Sequence, residues 1–182
     1  MPELASPVPR PRTTLAELNA LPFAAFVARL GEVFEHSPWV AEGAWGKRPF
    51  ASVAALHQAM VDVVASATEE TRLALVRAHP ELAGREASEG ALTADSSTEQ
   101  GRLGFTALSR AEFDHVAGIN RRFRERFGFP CIVALALHPT RASVIAEMER
   151  ALEGTREAAL ARALGQIGHI TRARLDKLVS AD

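Results

Sequence analysis

From Thr14 onward the apolar residues return at three- and four-residue steps, the signature of helices laid against a common core. Phe23, Phe26, Val27, Leu30 and Phe34 form one such row, and Leu56, Met60, Val63 and Val64 a second. Phe113, Val116, Ile119, Phe123 and Phe127 form a third. Polar residues at the boundaries match this reading. Thr14 with Glu17, and Ser109 with Glu112, have the spacing of a capping box, in which a hydroxyl and a carboxylate satisfy the free N–H groups of a first turn. Pro22 suits a helix start. Ser52 and Thr68 offer N-caps, the latter followed by Glu69 and Glu70 in a first turn that favours negative charge. Ser96 or Ser97 opens a short helix, and Gly128 ends the long one that precedes it. Pro80 disfavours helical geometry at His79, so the helix carrying Leu73 and Val76 stops there. Two closing helices are expected, Arg141 to Glu153 and Arg156 to Val179.

Between these rows, His36-Ser37-Pro38-Trp39 interrupts the pattern and Gly84 to Thr93 reads as a polar loop. Cys131-Ile132-Val133-Ala134-Leu135 is the single strand-like run, and one run makes no sheet. The fold class is therefore all-α. A single-domain helical bundle is expected over 14–182, with at least six helices and no sheet of three or more strands. Pro2, Pro7, Pro9 and Pro11 mark residues 1–13 as a flexible, polyproline-like tail.

Composition narrows the class without naming a function. The 182 residues amount to one domain at roughly 150 residues per domain. A net charge of −1 and 24% charged residues argue against a general nucleic-acid binder or a membrane-surface protein. Charges interrupt every apolar run before the roughly 20 residues that a membrane-spanning helix needs. The N-terminal stretch has no apolar h-region, so a secretory signal is not expected. The single cysteine, Cys131, excludes an internal disulfide framework, and a reducing compartment, the cytoplasm, is expected.

Candidate chemistry is sparse. Phosphate-binding glycine loops, the Gly-x-Ser-x-Gly elbow and the His-Glu-x-x-His pair are missing, and the six histidines include no i, i+4 pair, so neither metal nor cofactor is expected. Arg121, Arg122, Arg124 and Arg126 lie opposite Ile119, Phe123 and Phe127 and read as a solvated face. His79 stands out. It sits at a helix C-terminus, where the dipole favours its charged form, beside a backbone-restricting proline, and a positioned histidine moves protons near neutral pH. A surface residue or a plain helix-end cap is the competing reading. Ser96-Ser97-Thr98-Glu99-Gln100 is either an N-cap with surplus polar neighbours or a polar wall for a ligand rich in N–H and C=O groups. Cys131, in an apolar run after Pro130, reads as a buried, inert thiol.

Taken in order, Ala78-His79-Pro80-Glu81-Leu82-Ala83-Gly84, Ser96-x-x-Glu99-Gln100, Ile119-Asn120 and Phe127-Gly128-Phe129-Pro130 resemble the OHCU decarboxylase family, as does the earlier Ser37-Pro38-Trp39-Val40. The resemblance covers nearly the whole chain after the tail. It implies a metal-free, cofactor-free helical bundle, a homodimer, that decarboxylates 2-oxo-4-hydroxy-4-carboxy-5-ureidoimidazoline (OHCU), an intermediate of urate breakdown, to (S)-allantoin. It further implies that His79 is the catalytic histidine and Glu99 the key carboxylate, that Pro80 and Ser96, Ser97, Thr98, Glu99 and Gln100 contact substrate, and that Cys131, Ile132, Val133, Ala134 and Leu135 offer backbone groups to its urea-like edges. Arg174 matches the arginine of the family's last helix and is expected to bind substrate, although Arg172 and Lys177 beside it make a plain basic helix face the rival reading. Cys131 stands where the family leads one to expect a bulkier residue. Two other functions remain open: a different ureide lyase or hydrolase using His79 and Glu99, and a non-enzymatic helical module that binds a partner through its Phe and Arg faces.

Overall fold

The computed structural model describes residues 12–84 and 92–180. Among the described residues there are nine helices and one short 3-10 turn: α1 Leu15–Ala20, α2 Phe23–Leu30, α3 Trp39–Trp45, α4 Val53–Ala65, α5 Glu69–Ala78, α6 Ala94–Arg102, α7 Arg110–Phe127, the 3-10 turn Leu135–Leu137, α8 Arg141–Arg150 and α9 Arg156–Leu178. Two-residue strands, β1 Thr13–Thr14 and β2 Val179–Ser180, pair in parallel, Thr13 opposite Val179 and Thr14 opposite Ser180. Among the described residues this is the whole of the sheet structure.

The caps explain where the helices begin. At α1 the Glu17 N–H donates to Thr14 Oγ1 at 3.1 Å while the Thr14 N–H donates to the Glu17 carboxylate at 2.9 Å. The Ser109–Glu112 box does the same at α7. Gly128 ends α7 at φ 83°, a left-handed conformation that favours glycine. Two starts fall elsewhere than the pattern suggests. Pro22 stands as the N-cap of α2, one residue outside the helix, and Thr93, rather than Ser96 or Ser97, caps α6 by accepting the Ser96 N–H at 3.3 Å.

α9 is the spine. It packs against α4, α5, α7 and the 3-10 turn and carries β2 at its end. Leu18, Leu30, Leu56, Met60, Phe123, Met148 and Ile167 are fully buried around it, each removing enough apolar surface to contribute roughly 1.5–3 kcal/mol. Phe123, Phe127 and Phe129 form an aromatic cluster with centroids 4.7–6.2 Å apart. Phe23 and Phe113, expected inward, lie in the first turns of α2 and α7 and stay 46% and 37% exposed. The run Cys131–Leu135 is buried but unpaired with any strand. It crosses the bundle as extended chain and closes into the 3-10 turn. Of the tail expected over 1–13, Met1 to Pro11 lie outside the described residues. Arg12 and Thr13, by contrast, belong to the fold, because Arg12 donates to the Asp176 carbonyl at 2.7 Å and Thr13 enters the bridge.

Candidate active site

Four pieces of chain meet around a pocket of about 410 Å³, mouth included: the end of α5, the buried face of α6, the extended run after Pro130, and the C-terminal half of α9. His79 is set into it by local geometry. As the C-cap of α5 it leaves the helix at φ −80° and ψ 133°, the extended conformation that Pro80 requires, and only 5% of it is exposed. Its Nδ1–H donates to the Leu75 carbonyl at 2.9 Å, one turn back. That bond fixes the neutral tautomer, with the lone pair on Nε2, and Nε2 is buried without a hydrogen-bond partner among the described residues. Burial pushes the pKa of His79 down to about 4, aided by Arg174 and His36 and opposed by the Leu75 carbonyl and the Glu35 charge. The dipole argument for a charged His79 thus fails in this fold. Desolvation outweighs the helix terminus, and the ring is a neutral base at pH 7.

Across the pocket lies a buried ion cluster centred on Arg174, itself 2% exposed. Its Nε and Nη2 donate to the two carboxylate oxygens of Glu99, each at 3.0 Å, in a bidentate fork. Nη1 donates to Glu35 at 2.6 Å and to the Val33 carbonyl at 3.4 Å, and Nη2 also reaches Ser96 Oγ at 3.2 Å. All five guanidinium N–H groups are therefore occupied by protein. Burial lowers the arginine's pKa, but the carboxylates of Glu99 and Glu35 more than restore it, so the guanidinium stays charged. Glu35 is the mirror case. Burial raises its carboxyl, and Arg174 together with the Thr93 hydroxyl holds it below the usual range. One arginine balances two carboxylates, which leaves the pocket wall with a net negative charge beside a neutral imidazole.

The residues expected from sequence divide cleanly. His79, Pro80, Ser96, Glu99, Gln100, Cys131, Ile132, Val133, Leu135 and Arg174 all line the pocket. Ser97 and Thr98 do not. Both are exposed on the outer face of α6, and the Thr98 hydroxyl donates to the Ala94 carbonyl of its own helix at 2.9 Å. Ala134 also faces away, its N–H committed to Gln166 Oε1 at 2.8 Å. Of the run's other polar groups, the Ile132 carbonyl accepts from Arg162 at 3.3 Å and the Leu135 carbonyl accepts from Arg102. Ile132 and Val133 line the pocket, and among the described residues their N–H groups donate to no protein acceptor. Gln100 has a second duty: it accepts the Ala83 N–H at 3.1 Å and donates to the Glu81 carbonyl at 3.2 Å, clamping the turn that follows Pro80. Asn120 supports the same turn by donating to the Leu82 carbonyl at 2.9 Å. The basic-face reading of Arg174 is overturned by its burial.

Three residues escaped the sequence reading. Leu82, from the turn after Pro80, and Ile170, from α9, supply apolar walls. Glu35, 1% exposed, anchors the ion cluster from the interrupting segment, and no local spacing announces it. Cys131 is an inert wall, its thiol pushed up to about 11 by burial. Among the described residues no three His, Cys, Asp or Glu side chains gather as a metal site. Chemically, the pocket joins a neutral base, fixed hydrogen-bond acceptors, an amide and free backbone donors, a set suited to a small, planar, nitrogen-rich ligand that must exchange a proton.

Comparisons with known proteins agree with that chemistry. The sequence profile of the OHCU decarboxylase family matches residues 19–176. The 2-oxo-4-hydroxy-4-carboxy-5-ureidoimidazoline decarboxylase of Haloferax volcanii is 37% identical over 169 residues, covering 93% of this chain and 98% of its own. The mouse protein of the same name is 35% identical over 170 residues, covering 92% and 93%. The crystal structure of (S)-allantoin synthase superposes with a TM-score of 0.73 at 26% identity over 92% of this chain, which spans 54% of that longer one. The chain belongs to the OHCU decarboxylase family.

Proposed function

We propose that this protein decarboxylates OHCU to (S)-allantoin, with His79 as the proton-transfer residue. The observation that carries the reading is the buried, unpartnered Nε2 of a neutral His79 lining a pocket of polar acceptors and free backbone donors. Family membership supplies the substrate.

The reaction balances without an external electron acceptor. Nε2 accepts the proton of the C4 hydroxyl. As the bond from C4 to the carboxylate breaks and carbon dioxide leaves, its electron pair forms a C4–C5 double bond, and the pair of the adjacent ring C=N moves onto nitrogen, which takes a proton from the medium. The C4 oxygen then becomes a carbonyl while the C4–C5 pair takes the proton back from the imidazolium at C5. Delivery from one side, by a base whose ring is fixed through Leu75, makes the product chiral. The net negative wall formed by Glu99 and the Glu35 behind it disfavours the substrate carboxylate in the ground state, and the electron pair left behind when neutral carbon dioxide departs is taken up at the ring nitrogen and neutralised there by its proton. Glu99, held by Arg174, accepts ring or ureido N–H groups, and the Ile132 and Val133 N–H groups donate to carbonyl oxygens. The fork of Arg174 serves Glu99 rather than the substrate, so its part in binding is to orient that carboxylate.

The substrate carries its own electron sink, so no metal or cofactor is required, and turnover is expected to survive exhaustive dialysis against EDTA. Activity lost on dialysis and restored by zinc rejects this. We further infer a single catalytic unit over 14–182 working as a homodimer in the cytoplasm, which the family resemblance and one buried thiol support, and which sedimentation and fractionation test. The direct test adds the protein to freshly generated OHCU and follows ultraviolet absorbance, circular dichroism and carbon dioxide. One enantiomer of allantoin is expected to appear rapidly with release of carbon dioxide. Turnover without carbon dioxide points to a hydrolase, and racemic product at the spontaneous rate rejects the activity.

A further inference from the structure

We propose that Glu35 is a positioning residue of this active site, holding the start of α6 and the Arg174 fork so that Ser96 and Glu99 face the pocket. The inference deepens the decarboxylase reading and rests on it for its kinetic arm. Glu35 reaches the site from the turn between α2 and α3, far from the other pocket residues in sequence. That turn is built to deliver it. The Ser37 N–H donates to the Phe34 carbonyl at 2.7 Å and Ser37 Oγ to the Glu35 carbonyl at 3.1 Å. His36 takes a left-handed φ of 50°, which sends its own ring to solvent while Glu35 turns inward. A non-glycine residue in that region marks a conformation that the surrounding contacts must enforce.

Every polar contact of the Glu35 carboxylate is with a part of the site. Thr93 Oγ1 donates to it at 2.6 Å, and the same oxygen caps α6 by accepting the Ser96 N–H at 3.3 Å. Ser96 Oγ donates to both carboxylate oxygens, at 3.0 and 3.1 Å. Arg174 Nη1 donates to it at 2.6 Å, opposite the fork that grips Glu99. A fixed negative charge also suits the positive end of α6. Glu35 does not itself line the pocket, and its carboxylate makes no hydrogen bond to His79. It acts through Thr93, Ser96 and Arg174, and a shift of these groups by a fraction of an ångström is enough to misplace Glu99. The titratable groups that act on His79 are then Glu35, Arg174 and His36, whose ring lies in solvent.

Glu35→Gln keeps the shape and removes the charge. In the full-length protein its kcat is expected to fall about 10²-fold with KM changed less than about threefold, the mark of a group that aligns the reacting set rather than binding substrate. Peptide-resolved hydrogen exchange is expected to speed up over residues 92–102 and stay unchanged over α4. The control Glu32→Gln, on an exposed glutamate of the neighbouring turn, should leave both readouts at wild-type values. If Glu35→Gln does not fold, Thr93→Val carries the test, with a fall in kcat of about tenfold and the same local exchange. Unchanged kcat, unchanged exchange over 92–102, or exchange accelerated equally everywhere overturns the proposal. If wild-type protein does not turn over OHCU, the decarboxylase reading falls, while the exchange arm still decides whether Glu35 holds α6.

Discussion

Arg172 and Arg174 are two residues apart on α9, yet they live in different physical worlds. Arg172 points outward and bonds both oxygens of Asp176, one turn on, at 3.0 Å, with its side chain 41% exposed. Arg174 points inward, 2% exposed, and ties Glu99, Glu35, Ser96 and Val33 together. A helix advances about 100° per residue, so two steps carry a side chain from the solvent face to the core. The outer pair gains modest Coulomb energy in a high dielectric. The inner one must repay the desolvation of three charged groups, and does so only because every guanidinium N–H finds an acceptor. Neighbours of one chemical type therefore differ in worth by several kcal/mol, and only the buried one shapes chemistry.

The sharpest way to break this contrast is Arg174→Ala. Removing one member of a buried cluster strands Glu35 and Glu99 without their counter-ion, and a loss of about 3–5 kcal/mol is expected, together with most activity. At roughly 2–4 °C per kcal/mol for a chain of this size, Tm falls by roughly 10 °C. Arg174→Lys keeps the charge but not the fork, and is expected to recover part of the stability and little of the rate. A melting curve within 2 °C of wild type for the alanine variant contradicts the assignment.

Next in size is the dependence on pH. The folded pKa of His79 is lowered, from 6.5 to about 4, so the unfolded chain binds the extra proton first. Stability is complete above about pH 6.5 and is lost as pH falls toward 4, by up to about 3 kcal/mol for this group. Glu35 is also lowered, and its contribution, present above the unfolded carboxyl value of 4.5, disappears as pH falls through its folded value. Urea titrations at pH 7.5 and 5 measure the difference, and equal midpoints contradict the neutral, buried histidine. The smallest effect is Arg172→Ala, expected within about 0.5 kcal/mol of wild type and without kinetic consequence.

What the sequence displays and what it hides follow the same division. Capping boxes at Thr14–Glu17 and Ser109–Glu112, the Gly128 stop and the His79-Pro80 break are local, three or four residues wide, and all appear in the structure where their chemistry places them. His79 and Pro80 are carried by one of those local breaks, while Ser96, Glu99, Gln100 and Cys131, Ile132, Val133 and Leu135 were legible through the family resemblance. The rest depends on phase and distance. The serine run suggested a whole polar wall, but α6 turns Ser97 and Thr98 outward because Thr93 starts it three residues earlier than Ser96. Glu35 was illegible because its partners lie 58 to 139 residues away and its inward turn depends on a left-handed backbone at His36. Arg174 was ambiguous because the side of α9 that faces the pocket is decided by packing against α4 and α5, not by α9 itself.

The central claim is that a neutral His79 moves the proton that makes the product chiral, and His79→Asn tests it most directly. Asparagine can still donate to the Leu75 carbonyl, so the fold should persist, but it has no basic nitrogen to offer the substrate. Circular dichroism during turnover of freshly generated OHCU at pH 7 gives rate and handedness together. The expected result is a folded variant whose kcat is lower by roughly 10²–10⁴-fold, with allantoin approaching the racemic product of spontaneous decay. A folded His79→Asn protein that forms one enantiomer at a near wild-type rate contradicts it.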